Sequence, residues 1–258
     1  MGIKRGQVTI FIIIGVSILV IVGALFYIRG SSVDLETQSS ISDEVEIDTS
    51  SLSAFISTCA RQTAQDAVDY TAFRGGKDVR FDQGYQFAAV TIPYYFYEGE
   101  NRFPTMDEIR QTLQDYMNEN IKLCTNGFET FKQQGYDIEE SEISSTATIA
   151  EEEVIFEIQY PVTLVKGSSR QEESSFSTSV DANLLSMITT AEEYIQAQEQ
   201  NPEAFRIKHM VDIVSDSNLE FEVIEKEEGS VIISLIDENT IINANPLLWS
   251  FAIKYDWD

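Results

Sequence analysis

Histidine occurs once in the 258 residues, as His209, and cysteine twice, as Cys59 and Cys124. A lone imidazole between Lys208 and Met210 makes neither a nucleophile arrangement nor a metal-ligand spacing, so it reads as an ordinary helix residue. The chain also lacks Gly-x-Ser-x-Gly, a phosphate loop, a dinucleotide fingerprint and His-Glu-x-x-His, which leaves the common hydrolase, nucleotide and zinc chemistries without an announced site. Basic side chains are scarce, with 17 Lys and Arg against 43 Asp and Glu and a formal net charge of −26. Nucleic acid and anionic lipid surfaces are therefore poor partners. Paired carboxylates can serve a glycosidase, but with 43 acidic residues two that meet in space are expected by chance. Asp237-Glu238-Asn239 lacks the spacing of a calcium loop and suggests at most a loose surface cation site. No Asn-x-Ser/Thr acceptor and no repeat of fixed period is present. The expectation is no catalytic residue, no cofactor and no metal site.

What the chain does have is an unbroken apolar run. Val8 to Ile28 contains 21 residues without a charge, and at about 1.5 Å per residue such a helix spans roughly 30 Å, the hydrocarbon thickness of a bilayer. A secretory signal has a shorter apolar core, about 7 to 15 residues, followed by a small-residue cleavage site; Phe26-Tyr27-Ile28-Arg29 offers none. Lys4, Arg5 and the terminal amine precede the run, and Arg29 alone follows it before Asp34 and Glu36. The positive-inside bias then puts the N-terminus in the cytoplasm and residues 30 to 258 outside, as a single-pass protein of the cell membrane. The expected organisation is a basic leader (1–6), a transmembrane helix (7–29), an acidic Ser-rich stalk (30–50) and an extracytoplasmic domain (51–258). Scattered Val, Leu and Ile in the stalk allow it instead to pack as a short strand or helix on the domain.

Lys4-Arg5-Gly6-Gln7, a very short basic leader running straight into the apolar helix, resembles the class III signal peptide of archaeal type IV pilins and archaellins. The resemblance implies cleavage between Gly6 and Gln7 by a prepilin-type peptidase, with the helix kept as the mature N-terminus. It covers about 28 residues. The fifth mature position, Glu in many pilins, is Phe11 here, a departure that bears on filament assembly and not on processing. Segments Phe55-Ile56-Ser57-Thr58-Cys59, Tyr94-Tyr95-Phe96-Tyr97-Glu98-Gly99 and Phe103-Pro104-Thr105-Met106-Asp107-Glu108-Ile109 are also similar to single-span surface proteins of small symbiotic archaea.

The acid excess sits almost wholly beyond the run, since Lys4, Arg5 and Arg29 account for three of the 17 basic residues. Self-repulsion of this size opposes compaction, yet 43% of the residues are hydrophobic and 11% aromatic, enough to build a core. Concentrated salt reconciles the two, because the Debye length falls to about 3 Å at 1 M. A halophilic setting is the reading, with an acidic surface for cations or a basic partner as the alternative.

Periodicity from Ser51 onward predicts an α+β domain, an antiparallel sheet with helices packed on it. Leu52, Phe55, Ile56, Cys59, Thr63, Ala67 and Tyr70 recur at helical spacing, and Gly75-Gly76 ends the run. Tyr85, Phe87, Ala89 and Thr91 alternate as a strand, the Tyr94 to Tyr97 run reads as another, and Pro93 marks a break or an edge. Thr105 and Glu108 form a capping box for a helix carrying Ile109, Leu113, Tyr116, Met117, Cys124, Phe128 and Phe131, with Gly135 past its end. Glu142 to Val180 alternates as a meander with a turn at Lys166 to Ser169. Leu184 to Ile195 predicts a third helix, and residues 203 to 214 a shorter one. Leu219–Ile224 and Val231–Ile236 read as a hairpin, and Leu247–Tyr255 as the last strand.

Three residue groups are candidates for function. Gly6 and Gln7 are the processing junction. Cys59 and Cys124, both on predicted apolar helix faces in an oxidising compartment, are expected to pair and clamp the two helices, two separate buried thiols being the alternative. Tyr95 and Tyr97 can form an outward contact strip, or else lie in the core and beside it. The functional expectation is a membrane-anchored cell-surface protein, held in the lipid bilayer by Val8 to Ile28, that presents an acidic interaction domain to a protein partner or to its own copies. A pilin-like filament subunit and a surface hydrolase without a recognisable motif are the alternatives.

Overall fold

The computed structural model describes residues 49–203, 205–225 and 229–255. The leader, the processing junction at Gly6 and Gln7, the apolar run and the stalk up to residue 48 lie outside the described residues. No helix among the described residues is long and apolar enough to cross a membrane.

Helix α1 (Thr49–Phe73) begins two residues earlier than the periodicity suggests. Its buried stripe runs through Leu52, Ile56, Ala60, Ala64, Ala67 or Val68 and Ala72. Four of these positions are alanine, which lets the helix axis approach its neighbours closely. Helix α2 (Met106–Thr125) starts at the expected capping box: the Glu108 amide donates to the Thr105 hydroxyl at 3.3 Å, and the Thr105 amide donates to the Glu108 carboxylate at 2.9 Å. It buries Ile109, Leu113, Met117, Ile121 and Thr125, a strict fourth-residue stripe. Cys124 and Tyr116 flank that stripe and do not belong to it; Cys124 is exposed.

The predicted continuation to Phe131 does not occur. Asn126, Gly127 and Phe128 all take positive φ, at 45°, 60° and 57°, and reverse the chain into the single turn α3 (Glu129–Lys132). Phe128 is fully buried against Phe55, Phe131 and Tyr160, so core packing holds a bulky residue in a backbone region it normally avoids. Helices α4 (Leu184–Glu199) and α5 (Ile207–Ser217) follow. The second starts later than residue 203.

Among the described residues ten strands make two sheets, and the domain is α+β. The first sheet contains β1 (Gly84–Phe87), β2 (Val90–Tyr97), β3 (Glu100–Asn101), β8 (Glu220–Glu225), β9 (Ser230–Ile242) and β10 (Asn245–Lys254), in the order β1-β2-β10-β9-β8 with β3 on β2. The expected antiparallel arrangement is broken once, since β10 runs parallel to β2. These two strands are far apart in sequence, and only a long crossover permits parallel pairing. Pro93 stands where β2 changes partner: residues up to Pro93 pair with β1, and those from Tyr94 pair with β10. A residue without an amide hydrogen fits that handover.

The second sheet contains β4 (Asp137–Glu140), which alternation alone does not predict, and the expected meander β5 (Ser144–Ile149), β6 (Glu153–Lys166) and β7 (Ser169–Asp181). Because β7 pairs along nearly all of β6, β4 and β5 share the other edge of β6, each covering one part of it.

Among the described residues, two-residue turns close four hairpins. Residues 88–89, 98–99, 167–168 and 243–244 separate paired strand ends, and positive φ is found at Ala88, Glu98, Gly99, Gly167, Asn243 and Ala244. Ala89 is thus a turn residue and not part of a strand. The main core lies between the helices and the sheets: α1 contacts β7, β9 and β10, α2 contacts β5, and α4 and α5 pack on the first sheet. Trp249, Phe251, Ile233, Leu235, Phe156 and Ile158 fill it.

Candidate functional site

Of the two arrangements open to Tyr95 and Tyr97, an outward strip or burial in and beside the core, the structure has Tyr95 in the core. Tyr95 is fully buried, stacked on Phe251 at 4.7 Å between ring centroids, edge-on to Phe103 at 4.8 Å, and its hydroxyl donates to the Gly75 carbonyl at 2.6 Å. Burial raises the pKa of that hydroxyl well above the ordinary tyrosine value. Tyr97 is half-buried, edge-on to Tyr94 and capped by the Arg102 guanidinium at 4.3 Å. The strand presents Tyr95 to the helices because β2 is covered on that face by the Gly75-Gly76 corner, where a Cβ on Gly76 would stand 2.7 Å from both Ile109 and Trp249.

The cysteines pair, with 5.5 Å between their Cα atoms. Cys59 is buried and Cys124 exposed, so the bond joins the inner face of α1 to the outer end of α2. Asp237, which sequence spacing left as a loose cation site, is buried and occupied internally. Its carboxylate accepts the Thr240 hydroxyl at 2.6 Å and the Asn239 amide at 3.0 Å. Those bonds order the bulge where the β9–β10 register jumps.

The disulfide sets α1 and α2 side by side and antiparallel, and the same pairing brings Tyr70 against Tyr116 further along, ring centroids 4.8 Å apart. This tyrosine pair is a ridge between two open clefts. The larger, about 510 Å³, is bordered by Asp78, Asp115 and Glu119 as well as the two rings. The smaller, about 290 Å³, is bordered by Asp66, Asp69 and Phe73. Arg74 lies over the Tyr70 ring at 4.4 Å and donates to Asp78 at 3.1 Å, while the Tyr70 hydroxyl donates to the same carboxylate at 3.1 Å. Lys77 is taken up by Glu108. The Lys77 ammonium and the Thr105 amide hold the Glu108 carboxyl below the usual glutamate range.

The local potential is negative. Burial and then the neighbouring Asp66 raise the Asp69 carboxyl above the ordinary aspartate range. Burial, Asp66 and Asp69 raise the Tyr116 hydroxyl in the same way. Among the described residues no set of three or more His, Cys, Asp or Glu side chains is placed to hold a metal ion. The arrangement places two π faces beside several carboxylates, a combination whose electrostatics suit a cationic group. Sequence reading missed it because Tyr70 and Tyr116 were placed on separate apolar faces; their adjacency follows from helix packing. No protein-family model, curated protein or solved structure matches the chain.

Proposed function

We propose that this chain is a membrane-anchored cell-surface protein that presents an acidic α+β interaction domain to a protein partner. The observation that carries the reading is the charge-free run from Val8 to Ile28, led by Lys4 and Arg5. The Cys59–Cys124 bond supports it, because disulfides persist in oxidising, extracytoplasmic compartments. Expressed in an archaeal or bacterial host, the full chain should pellet with membranes after alkaline extraction, and protease added outside intact cells should digest the domain. Release into the alkaline supernatant, or complete protection of the domain, would overturn the reading.

The Gly6-Gln7 junction favours a second, pilin-like reading in which a prepilin-type peptidase processes the leader. Mass spectrometry of the purified chain should then find Gln7 as the first residue, and sedimentation of sheared cell surfaces should recover filaments. An intact Met1 or Gly2 with no sedimenting filament leaves a plain signal anchor.

A further inference from the structure

Arg74 shows what kind of group the tyrosine ridge accepts. Its guanidinium carbon lies 4.4 Å from the centre of the Tyr70 ring, and the group is tied there to Asp78. Tyr116 is the other half of the same ring pair and borders both clefts. Among the described residues no lysine or arginine covers the Tyr116 ring, although Asp66 and Asp69 act on its hydroxyl from one side and Asp115 and Glu119 border the cleft on the other. One ring of the pair is therefore matched with a cation of this chain, and its neighbour has the carboxylates for a second.

We propose that the Tyr70–Tyr116 ridge docks a basic segment of a partner protein, an arginine of which lies over Tyr116 against Asp69 while a second basic side chain reaches Asp115 and Glu119. Several features select a peptide of this chemistry. The charge is complementary, in a chain with a formal net charge of −26. Both clefts are open to solvent and meet at one ridge, a shape that follows an extended chain, whereas small-molecule sites enclose about 70–90% of their ligand. A metal ion lacks a ligand set among the described residues. Arginine is preferred to lysine because a planar guanidinium can lie over a ring while bonding a carboxylate, and Arg74 engages the Tyr70 ring and Asp78 together. This inference deepens the surface-protein reading by naming the partner's chemistry.

The test uses the full chain in phosphatidylcholine nanodiscs, whose neutral lipid does not hold a basic peptide. The probe is a fluorescein-labelled Gly-Arg-Ser-Gly-Arg-Gly peptide followed by anisotropy, with the Glu-for-Arg analogue as blank. Binding should saturate at one peptide per chain. Tyr116→Leu and the double change Asp66→Asn/Asp69→Asn should each weaken it about tenfold, on the order of one well-placed cation–π or charge contact. Tyr116→Phe, which keeps the ring, should retain binding. The charge-matched double change Glu151→Gln/Glu152→Gln, on an exposed turn that borders neither cleft, should change it less than about twofold. Melting curves show which variants are folded, and Asp66→Asn/Asp69→Asn alone suffices if Tyr116→Leu is not.

Equal losses at the ridge and at residues 151–152 would mean diffuse attraction and overturn the proposal, as would undiminished binding in Asp66→Asn/Asp69→Asn. Displacement by spermine at concentrations no higher than the peptide's own, with the same response to the variants, would make the ligand a free polyamine and equally overturn it. Membrane placement does not enter this assay, so failure here and failure of the surface reading are read separately.

Discussion

Ala244 sits in the β9–β10 turn with φ at 66°, following Asn243 at 51°. A two-residue hairpin turn of this sign suits Asn-Gly, and alanine in the left-handed region costs roughly 1–2 kcal/mol. Ala244 is exposed, so no packing is lost on removing its methyl group. Ala244→Gly should raise the stability by about 0.5–1 kcal/mol in chemical denaturation, the gain being reduced by glycine's freedom in the unfolded chain. Asp69 gives a second residue-scale prediction. Its pKa, raised by burial first and then by Asp66, means that the folded chain holds the proton more tightly than the unfolded one. Stability is then full below the unfolded value of 3.8 and is lost as pH rises through the higher folded value. Asp69→Asn removes that loss, so the variant should melt above the wild type at about pH 7 and coincide with it near pH 3, with a gain under about 1 kcal/mol after solvent screening. A variant that melts lower at neutral pH would show that the Asp69 carboxylate is held by a partner instead of destabilised by burial and by Asp66.

At the scale of elements, the α1–α2 pair depends on a bond between residues 65 apart in sequence. Closing a loop of that length stabilises by about 4 kcal/mol in the chain-entropy model, an upper figure. Cys59→Ser/Cys124→Ser should lower the melting temperature by up to about 8–16 degrees on the scale of about 2–4 degrees per kcal/mol. Peptide binding at the ridge should weaken together with it. Labelling in denaturant without reductant should find no free thiol in the wild type.

These two helices also mark what could be read in advance. Thr105 and Glu108 announce the start of α2 because a capping box is local, satisfied within four residues. Its end was misplaced at Phe131 because the apolar spacing continues past Asn126-Gly127, and only the core around Phe128 stabilises three successive left-handed residues. Likewise Ala89 alternates like a strand residue, while the pairing of Phe87 with Val90 makes it a turn.

For the whole molecule, 43 acidic side chains against 17 basic ones leave a formal net charge of −26, and salt acts on the summed repulsion more than on any single pair. The described ion pairs are mostly exposed or between near neighbours, such as Arg110–Asp107 and Arg102–Glu100, and each contributes little. The full chain in nonionic detergent should therefore melt progressively lower as salt is reduced from about 1 M to about 0.05 M, the range over which the Debye length lengthens from about 3 Å beyond 10 Å. A melting temperature indifferent to salt would contradict the halophilic reading. The same dilution should tighten binding of the arginine peptide, because its attraction has the opposite sign.

Length, charge and periodicity were enough to establish an α+β chain with a long uncharged segment, two helices with a cysteine each, and a meander with its turn at Gly167. Those features depend on neighbours within a few residues, whose preferences are written locally. The parallel β2–β10 pair, the burial of Tyr95 and the meeting of Tyr70 with Tyr116 were decided by tertiary structure. Each requires residues far apart in sequence to share a surface, and a tyrosine has the same local pattern whether the layer above it is a helix or solvent.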